Sequence, residues 1–275
     1  MKFLKPIIAS LLIAGFIAGF AVPVTAHEFW LEPEKFQVET KATIKVSTKN
    51  GQEFSGGSLG YFKDRVVLFD SLQNGTRTPV KSRSGDFPAL TMPAPQDGLL
   101  VLAYQTTISP IRYEKWEKFA GFIEHKGFAD VKTRHAQRGL PQNGFTEIYS
   151  RFAKTLIGIG PSAGSDRNFG METEFVALSN PYTDDLTPGF SVQLFYQNQP
   201  RANAQIEIFE RSPDKKVTIS YQQTDGQGKA VIPVKAGYTY LLDGVVLREP
   251  STETVKDFNA VWETLWASIT FKVPQ

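Results

Sequence analysis

The chain has 275 residues, with 30 Lys and Arg against 28 Asp and Glu, three His and no Cys. Without cysteine there is no disulfide, thiolate nucleophile, thiolate metal site or cysteine-linked lipid anchor. No basic block or polybasic tail is present, which argues against a nucleic-acid partner.

Lys2 and Lys5 open the chain, and "PIIASLLIAGFIAGF" follows without a charge. Val24 and Ala26 are small residues at the −3 and −1 positions of a signal-peptidase site. This pattern predicts a signal peptide over residues 1–26 and export to the periplasm. Gly and Pro break the apolar run, which is short for a membrane span. Cleavage after Ala26 makes His27 the mature N-terminus. It also removes Lys2 and Lys5, so 28 basic residues balance 28 acidic ones.

The next stretch reads as strands. "KFQVETKATIKVSTKNG" alternates Val38, Ala42, Ile44 and Val46 with polar neighbours and reaches an Asn-Gly pair, a hairpin signal. "RVVLFD", "RTPVKS" and "GLLVLAYQTTIS" follow, separated by Gly, Pro, Asn and Asp. The period then changes. Trp116, Phe119, Ala120 and Ile123 fall on one helical face, and Gly127 interrupts that helix. "FADVKTRHAQRGL" predicts a second helix. "FTEIYSRFAKTLIGIG" predicts a third, with Ile148, Phe152 and Leu156 four apart. The helical segment thus covers about residues 113–158, and "GIGPSAGSDRNFG" reads as a linker.

The remainder returns to alternation. "GFSVQLFYQNQPRANAQIEIFERSP" reads as two strands, more follow a Thr-Asp-Gly turn, and "VWETLWASITFKV" closes the sheet. The predicted fold is mainly β. An antiparallel β-sandwich part with a helical insertion occupies residues 27–170, and a second β-sandwich occupies 171–275.

Four stretches in this order resemble the family of periplasmic components associated with cobalt and nickel transport. They are "AHEFWLEP", "YSRFAKTL", "EFVALSNPY" with the following "TDGQGKAVIPVKAGYTYLLDGVVL", and "WETLWASITF". The resemblance implies a two-part β-rich fold whose C-terminal sandwich is transthyretin-like or immunoglobulin-like. It also implies a metal-handling role alongside a membrane metal-transport complex. The family pattern places a histidine just after the "LL-x-x-V" strand, where this sequence has Val246.

Among residues that carry chemistry, His27 ranks first. A terminal histidine offers its α-amine and imidazole to one metal ion, and such nitrogen donors suit nickel, cobalt and copper. The reference pKa of an α-amine, about 7.7–8.0, lets a metal displace its proton near neutral pH. "FW" behind it would anchor the terminus. His125 and His135 are the other imidazoles. Their spacing does not place them on one helical face; His135 shares a side with Phe128 and Val131. Glu28, Glu32 and Asp243 are available oxygen donors that no spacing selects. Arg151 and Lys154 on one helical edge would hold an anion or bridge to the neighbouring sandwich. Trp262 and Trp266 on one strand face pack in a core or form a sugar platform. There is no GxSxG, Walker A or Rossmann pattern.

These features lead to the expectation of a periplasmic binding protein for a divalent transition metal (nickel, cobalt or copper), assisting uptake or delivery. Two alternatives stand beside it: a copper-dependent redox enzyme built on a histidine brace, and a metal-free carbohydrate-binding or adhesion sandwich.

Overall fold

The computed structural model describes residues 27–275; the expected signal peptide and its cleavage site lie outside the described residues. The first strands are β1 (Glu28–Pro33), β2 (Gln37–Val38), β3 (Thr43–Gln52) and β4 (Ser55–Leu59). Next come β5 (Val66–Gln73), β6 (Thr76–Pro79), β7 (Leu90–Pro93), β8 (Gly98–Thr106) and β9 (Ser109–Tyr113). Helices α1 (Trp116–His125) and α2 (Val131–Gln137) precede β10 (Phe145–Ile159). Then follow β11 (Thr173–Ala177), β12 (Phe190–Tyr196), β13 (Gln199–Pro200), β14 (Gln205–Arg211), β15 (Val217–Gln223) and β16 (Lys229–Ile232). The chain ends with β17 (Thr239–Arg248), α3 (Thr252–Phe258) and β18 (Ala260–Lys272).

The centre is a ten-stranded sheet in the order β15-β14-β17-β18-β10-β8-β5-β6, with β2 and β9 also on β10. One face carries Phe152, Leu156, Ile208, Leu242 and Phe271, packed on Phe175, Phe190 and Leu194 of the small sheet formed by β11, β12, β13 and β16. The opposite face is covered by two bodies side by side. The sheet of β1, β3, β4 and β7 brings Phe29, Leu31, Ile44 and Val46 onto Leu100, Leu102 and Ile157. The α1–α2 layer brings Phe119, Phe122 and Val131 onto Trp262 and Trp266. The protein is therefore mainly β, built as largely antiparallel sheets stacked face to face with a small helical insertion, as the alternation predicts.

Three expectations change. Residues 145–159 form a strand rather than a third helix. Ile148, Phe152 and Leu156 satisfy a period of four and a period of two alike. Both faces of β10 are covered, so burial is nearly continuous along it, as in a central strand, and its apolar residues show no clean alternation. The run is also rich in β-branched and aromatic residues, which favour a pleated surface. As a result Arg151 and Lys154 project from opposite faces of β10 rather than from one helical edge.

The boundary at 170/171 does not divide the strands into two sheets. The central sheet takes β5, β6, β8 and β10 from one side of it and β14, β15, β17 and β18 from the other, joined where β10 runs parallel to β18. Nor is the glycine- and serine-rich stretch a loose tether. Asn180 Nδ2 donates to the carbonyls of Ser162 and Gly164 at 2.8 and 3.0 Å. Asp166 accepts from the backbone of Ala177, and Phe169 and Met171 are buried.

Asn50-Gly51 does not form the first hairpin turn. β3 continues to Gln52, and Glu53 and Phe54 take the turn with φ of 51° and 58°. This register buries Phe54 against Trp30. Gly51 lies opposite Gly56, and a Cβ at Gly51 would stand 2.1 Å from the Ser55 carbonyl oxygen.

Candidate functional site

The seam between the β1 sheet and the helical layer collects buried charge. On β14 and β17, Glu207 pairs with Asp243 and Phe209 pairs with Leu241. Trp30 of β1 packs on Phe209 and Leu241. Glu28, two residues earlier on the same strand face, is thereby set over Glu207 and Asp243. From the other side α1 delivers Lys126. Gly127, with φ of 75°, ends the helix in a left-handed turn. Phe128 N–H donates to the Ile123 carbonyl and Gly127 N–H to that of Glu124, the paired bonds of a Schellman stop. A Cβ on Gly127 would meet Gln205 Oε1 at 2.7 Å, and the Gln205 amide in turn caps the His125 carbonyl. The sharp stop turns Lys126 into the seam.

There the Lys126 ammonium bonds Glu207 and Asp243, the latter at 2.8 Å, and lies 3.8 Å from Glu28. All four side chains are buried. Burial alone depresses an ammonium, but Asp243, Glu207 and Glu28 outweigh it and hold Lys126 above the usual lysine range. Burial pushes Glu28 up to about 7, against the pull of Lys126. Asp243 is likewise raised by burial, and its Oδ1 has no hydrogen-bond partner. Burial also raises Glu207, yet the His125 hydrogen bond and Lys126 bring it below the usual carboxylate range.

His125 closes the outer end of the seam. Its Nε2 lies 2.8 Å from Glu207 Oε1, and the ring remains partly exposed. The Glu207 hydrogen bond raises its pKa, partly offset by burial, so the imidazolium is favoured. Tyr221 Oη donates to the same Glu207 oxygen at 3.3 Å.

Residues 24–246 match the family model described as Domain of unknown function (DUF4198). The chain belongs to this family. The matched stretch takes in Glu28, His125, Lys126, Glu207 and Asp243 of the seam. No curated protein matches the chain. Among solved structures it is similar, at 10% identity, to one titled crystal structure of tetra-tandem repeat in extending region of large adhesion protein. That match covers 90% of this chain and 50% of the other, so this chain spans about half of its length. The TM-score is 0.20, too low to compare folds.

The three histidines fall in three settings. His27 is exposed and immediately precedes β1. His125 lies on the seam. His135 is buried with both ring nitrogens occupied. Trp262 Nε1–H donates to its Nδ1 at 3.0 Å, and its Nε2 lies 3.0 Å from the Pro141 carbonyl oxygen. Burial lowers its pKa, which suits this neutral tautomer. His135 is therefore a satisfied core histidine with no lone pair for a metal. Among the described residues no group of three or more His, Asp or Glu is arranged to hold a metal ion. The three seam carboxylates face a cation already, the Lys126 ammonium. Trp262 and Trp266 do share a face, but both are sealed in the core, so they offer no sugar platform. Glu32 pairs with Arg211 and Lys49 at the far end of β1.

The sequence reading named Glu28 and Asp243 but missed Lys126 and Glu207. Two signals were present. Asp243 and Glu207 are lone acids inside the apolar strands "LLDGVVL" and "QIEIF", and a buried acid there requires a cation. "HKG" at a helix end places a lysine at the cap.

Farther along this face Glu147 is buried, accepting from Thr264 Oγ1 at 2.6 Å while its Oε2 has no partner. Burial pushes it up to about 7 from an ordinary value of 4.5. Between those values the folded protein holds more protons than the unfolded chain. Stability from this group is therefore greatest below pH 4.5 and falls as pH rises to 7. Glu147→Gln is expected to stabilise the protein by about 2–3 kcal/mol at pH 8 and by almost nothing at pH 4. Urea denaturation at both pH values checks this; an equal difference at both would break the proton linkage.

Among the described residues no helix is long and apolar enough to cross a membrane.

Proposed function

We propose that the protein is exported to the periplasm, loses residues 1–26 and binds a divalent transition metal (nickel, cobalt or copper) through His27. It would hold the metal for uptake by, or delivery to, a membrane transport complex. One observation carries this reading. His27 is exposed, while Glu28, Phe29, Trp30 and Leu31 behind it are all buried and paired along β3. A terminus so anchored loses little further freedom when its amine and imidazole close on one ion.

The donor chemistry fits a carrier. Two nitrogens from one residue make a chelate with open positions, and an open coordination sphere allows the cargo to be handed on. His125 is the imidazole available as a further donor, because Lys126 next to it reaches Glu28 next to His27. Its proton, favoured by Glu207, must be displaced first. His135 is removed from the candidate ligand set by its two hydrogen bonds. The copper redox alternative needs a second imidazole at the metal, for which His125 is again the residue to test.

Two measurements test the reading. The intact mass of the periplasmic protein should correspond to a chain starting at His27. Calorimetric titration with Ni(II), Co(II) and Cu(II) should show tight binding of at least one ion, weakened about tenfold or more by His27→Ala. A start elsewhere, or unchanged affinity in the variant, would refute the assignment.

A further inference from the structure

Beside the seam Arg151 is a buried cation with no carboxylate in ion-pair contact. Only 7% of its surface is exposed, and β10 places it directly beside Trp266 of β18. Its Cζ lies 4.3 Å from the Trp266 ring and 4.8 Å from the Tyr149 ring, within cation–π reach of both. Its Nη1 is shut off from solvent and has no hydrogen-bond partner. Among the described residues no carboxylate comes within 4 Å of the guanidinium, although Asp243, Glu28 and Glu147 act on its charge from farther away; it makes no side-chain hydrogen bond, and its backbone N–H donates to Thr106 Oγ1. Arg151 also lines a cleft of about 220 Å³ between β1, β8 and β10. Phe29, Tyr104 and Tyr149 form apolar walls, and the exposed Phe62 and Arg65 stand at the rim, with Arg65 Cζ 5.4 Å from the Phe62 ring.

A buried guanidinium is costly unless paired, and arginine does not discharge in proteins. Burial indeed pulls Arg151 below the usual arginine range. Two other buried cations are paired, Lys126 with three carboxylates and Lys154 with two, while Arg201 also keeps an unpartnered Nη1. Arg151, with no carboxylate in contact, borders a cleft.

We propose that this cleft binds a small carboxylate with an apolar body, its carboxylate on Arg151 and its body against Phe29, Tyr104 and Tyr149. The planar fork of arginine matches a carboxylate with two parallel hydrogen bonds. The aromatic walls add apolar contact that a bare inorganic anion cannot use. The volume lies below the range of about 300–1,000 Å³ that takes drug-sized ligands, which restricts the occupant to a single ring or short chain.

Benzoate, benzamide and inorganic phosphate are suitable probes on the full exported protein, read by the indole N–H signal of Trp266 and by calorimetry. Benzoate should bind at least about tenfold more tightly than benzamide, the difference a charge-assisted pair supplies. Phosphate should bind more weakly than benzoate. Arg151→Lys should weaken benzoate about tenfold, because an ammonium loses the bidentate fit. Absence of benzoate binding at millimolar concentration, or equal binding of benzoate and benzamide, would overturn the proposal. So would phosphate binding as tightly as benzoate. If Arg151→Lys fails to fold, the ligand comparison on the native protein still decides. A glycine added before His27 should leave benzoate binding unchanged, so the outcome is separate from that of metal binding.

Discussion

Lys126→Met is expected to lower the unfolding free energy by about 3–5 kcal/mol at pH 8, the cost of leaving a buried ionic group without its partner. Lys126 is the cation for Glu207 and Asp243 and the nearest one to Glu28. Methionine matches the stem in volume but leaves those carboxylates buried together. In a chain of this size the loss corresponds to roughly 6–20 °C in Tm. The loss should shrink as pH falls, because protonation of the carboxylates removes the uncompensated charge. Glu28, already raised to about 7 by burial, takes its proton first. Adding Glu207→Gln and Asp243→Asn to Lys126→Met should recover part of the loss, since neutral partners do not need a cation. Thermal unfolding at pH 8 and pH 5 measures all of this. A loss under 1 kcal/mol, or one independent of pH, would mean that water rather than Lys126 satisfies the seam.

Lys154→Met should be comparably damaging on the opposite face of the central sheet. Lys154 is fully buried, lies 2.8 Å from Asp166 and 3.4 Å from Glu174, and donates to the Arg167 carbonyl. Burial raises both acids, against the pull of Lys154. The triad ties the irregular stretch after β10 to the sheet, so its loss should be local as well as global. Backbone N–H groups of Phe169 and Met171 still support Glu174, and those of Arg167 and Ala177 support Asp166. The expected cost therefore lies toward the low end, about 3 kcal/mol. Limited proteolysis should show new early cuts between 160 and 172. Undiminished resistance there would mean the backbone bonds alone hold the segment.

Much of the fold was legible because local pattern and burial agree where one face is wet. Trp116, Phe119 and Ile123 recur with helical spacing over polar neighbours, and α1 forms there with Gly127 at its end. Ile44 and Val46 alternate with Thr43, Lys45 and Ser47, and β3 forms there. Legibility failed at β10, where both faces are covered and period no longer separates strand from helix. The error then propagated: treating 145–159 as a helix hid the strand that joins the two halves in one sheet. It also put Arg151 and Lys154 on one edge, when one serves the seam and the other a separate triad. The seam was half visible. Isolated acids in apolar strands mark burial of charge, but the cation that meets them comes from 81 and 117 residues away. No spacing rule reaches that far. His27 was singled out from its predicted place after the cleavage site, and Phe29 and Trp30 were expected to anchor it; both are buried behind it.

The central claim is that the α-amine of His27 is itself a metal ligand. Its direct test is a metal titration of the native mature protein against a form carrying one extra glycine before His27. The glycine converts the amine to an amide and keeps the imidazole, the net charge and the buried strand behind it. The account predicts that the extended protein binds Ni(II) or Cu(II) at least about tenfold more weakly. It also predicts that native binding weakens as pH falls below about 7.7–8.0, where protons compete for the amine. Equal affinity of the native and glycine-extended proteins would contradict it.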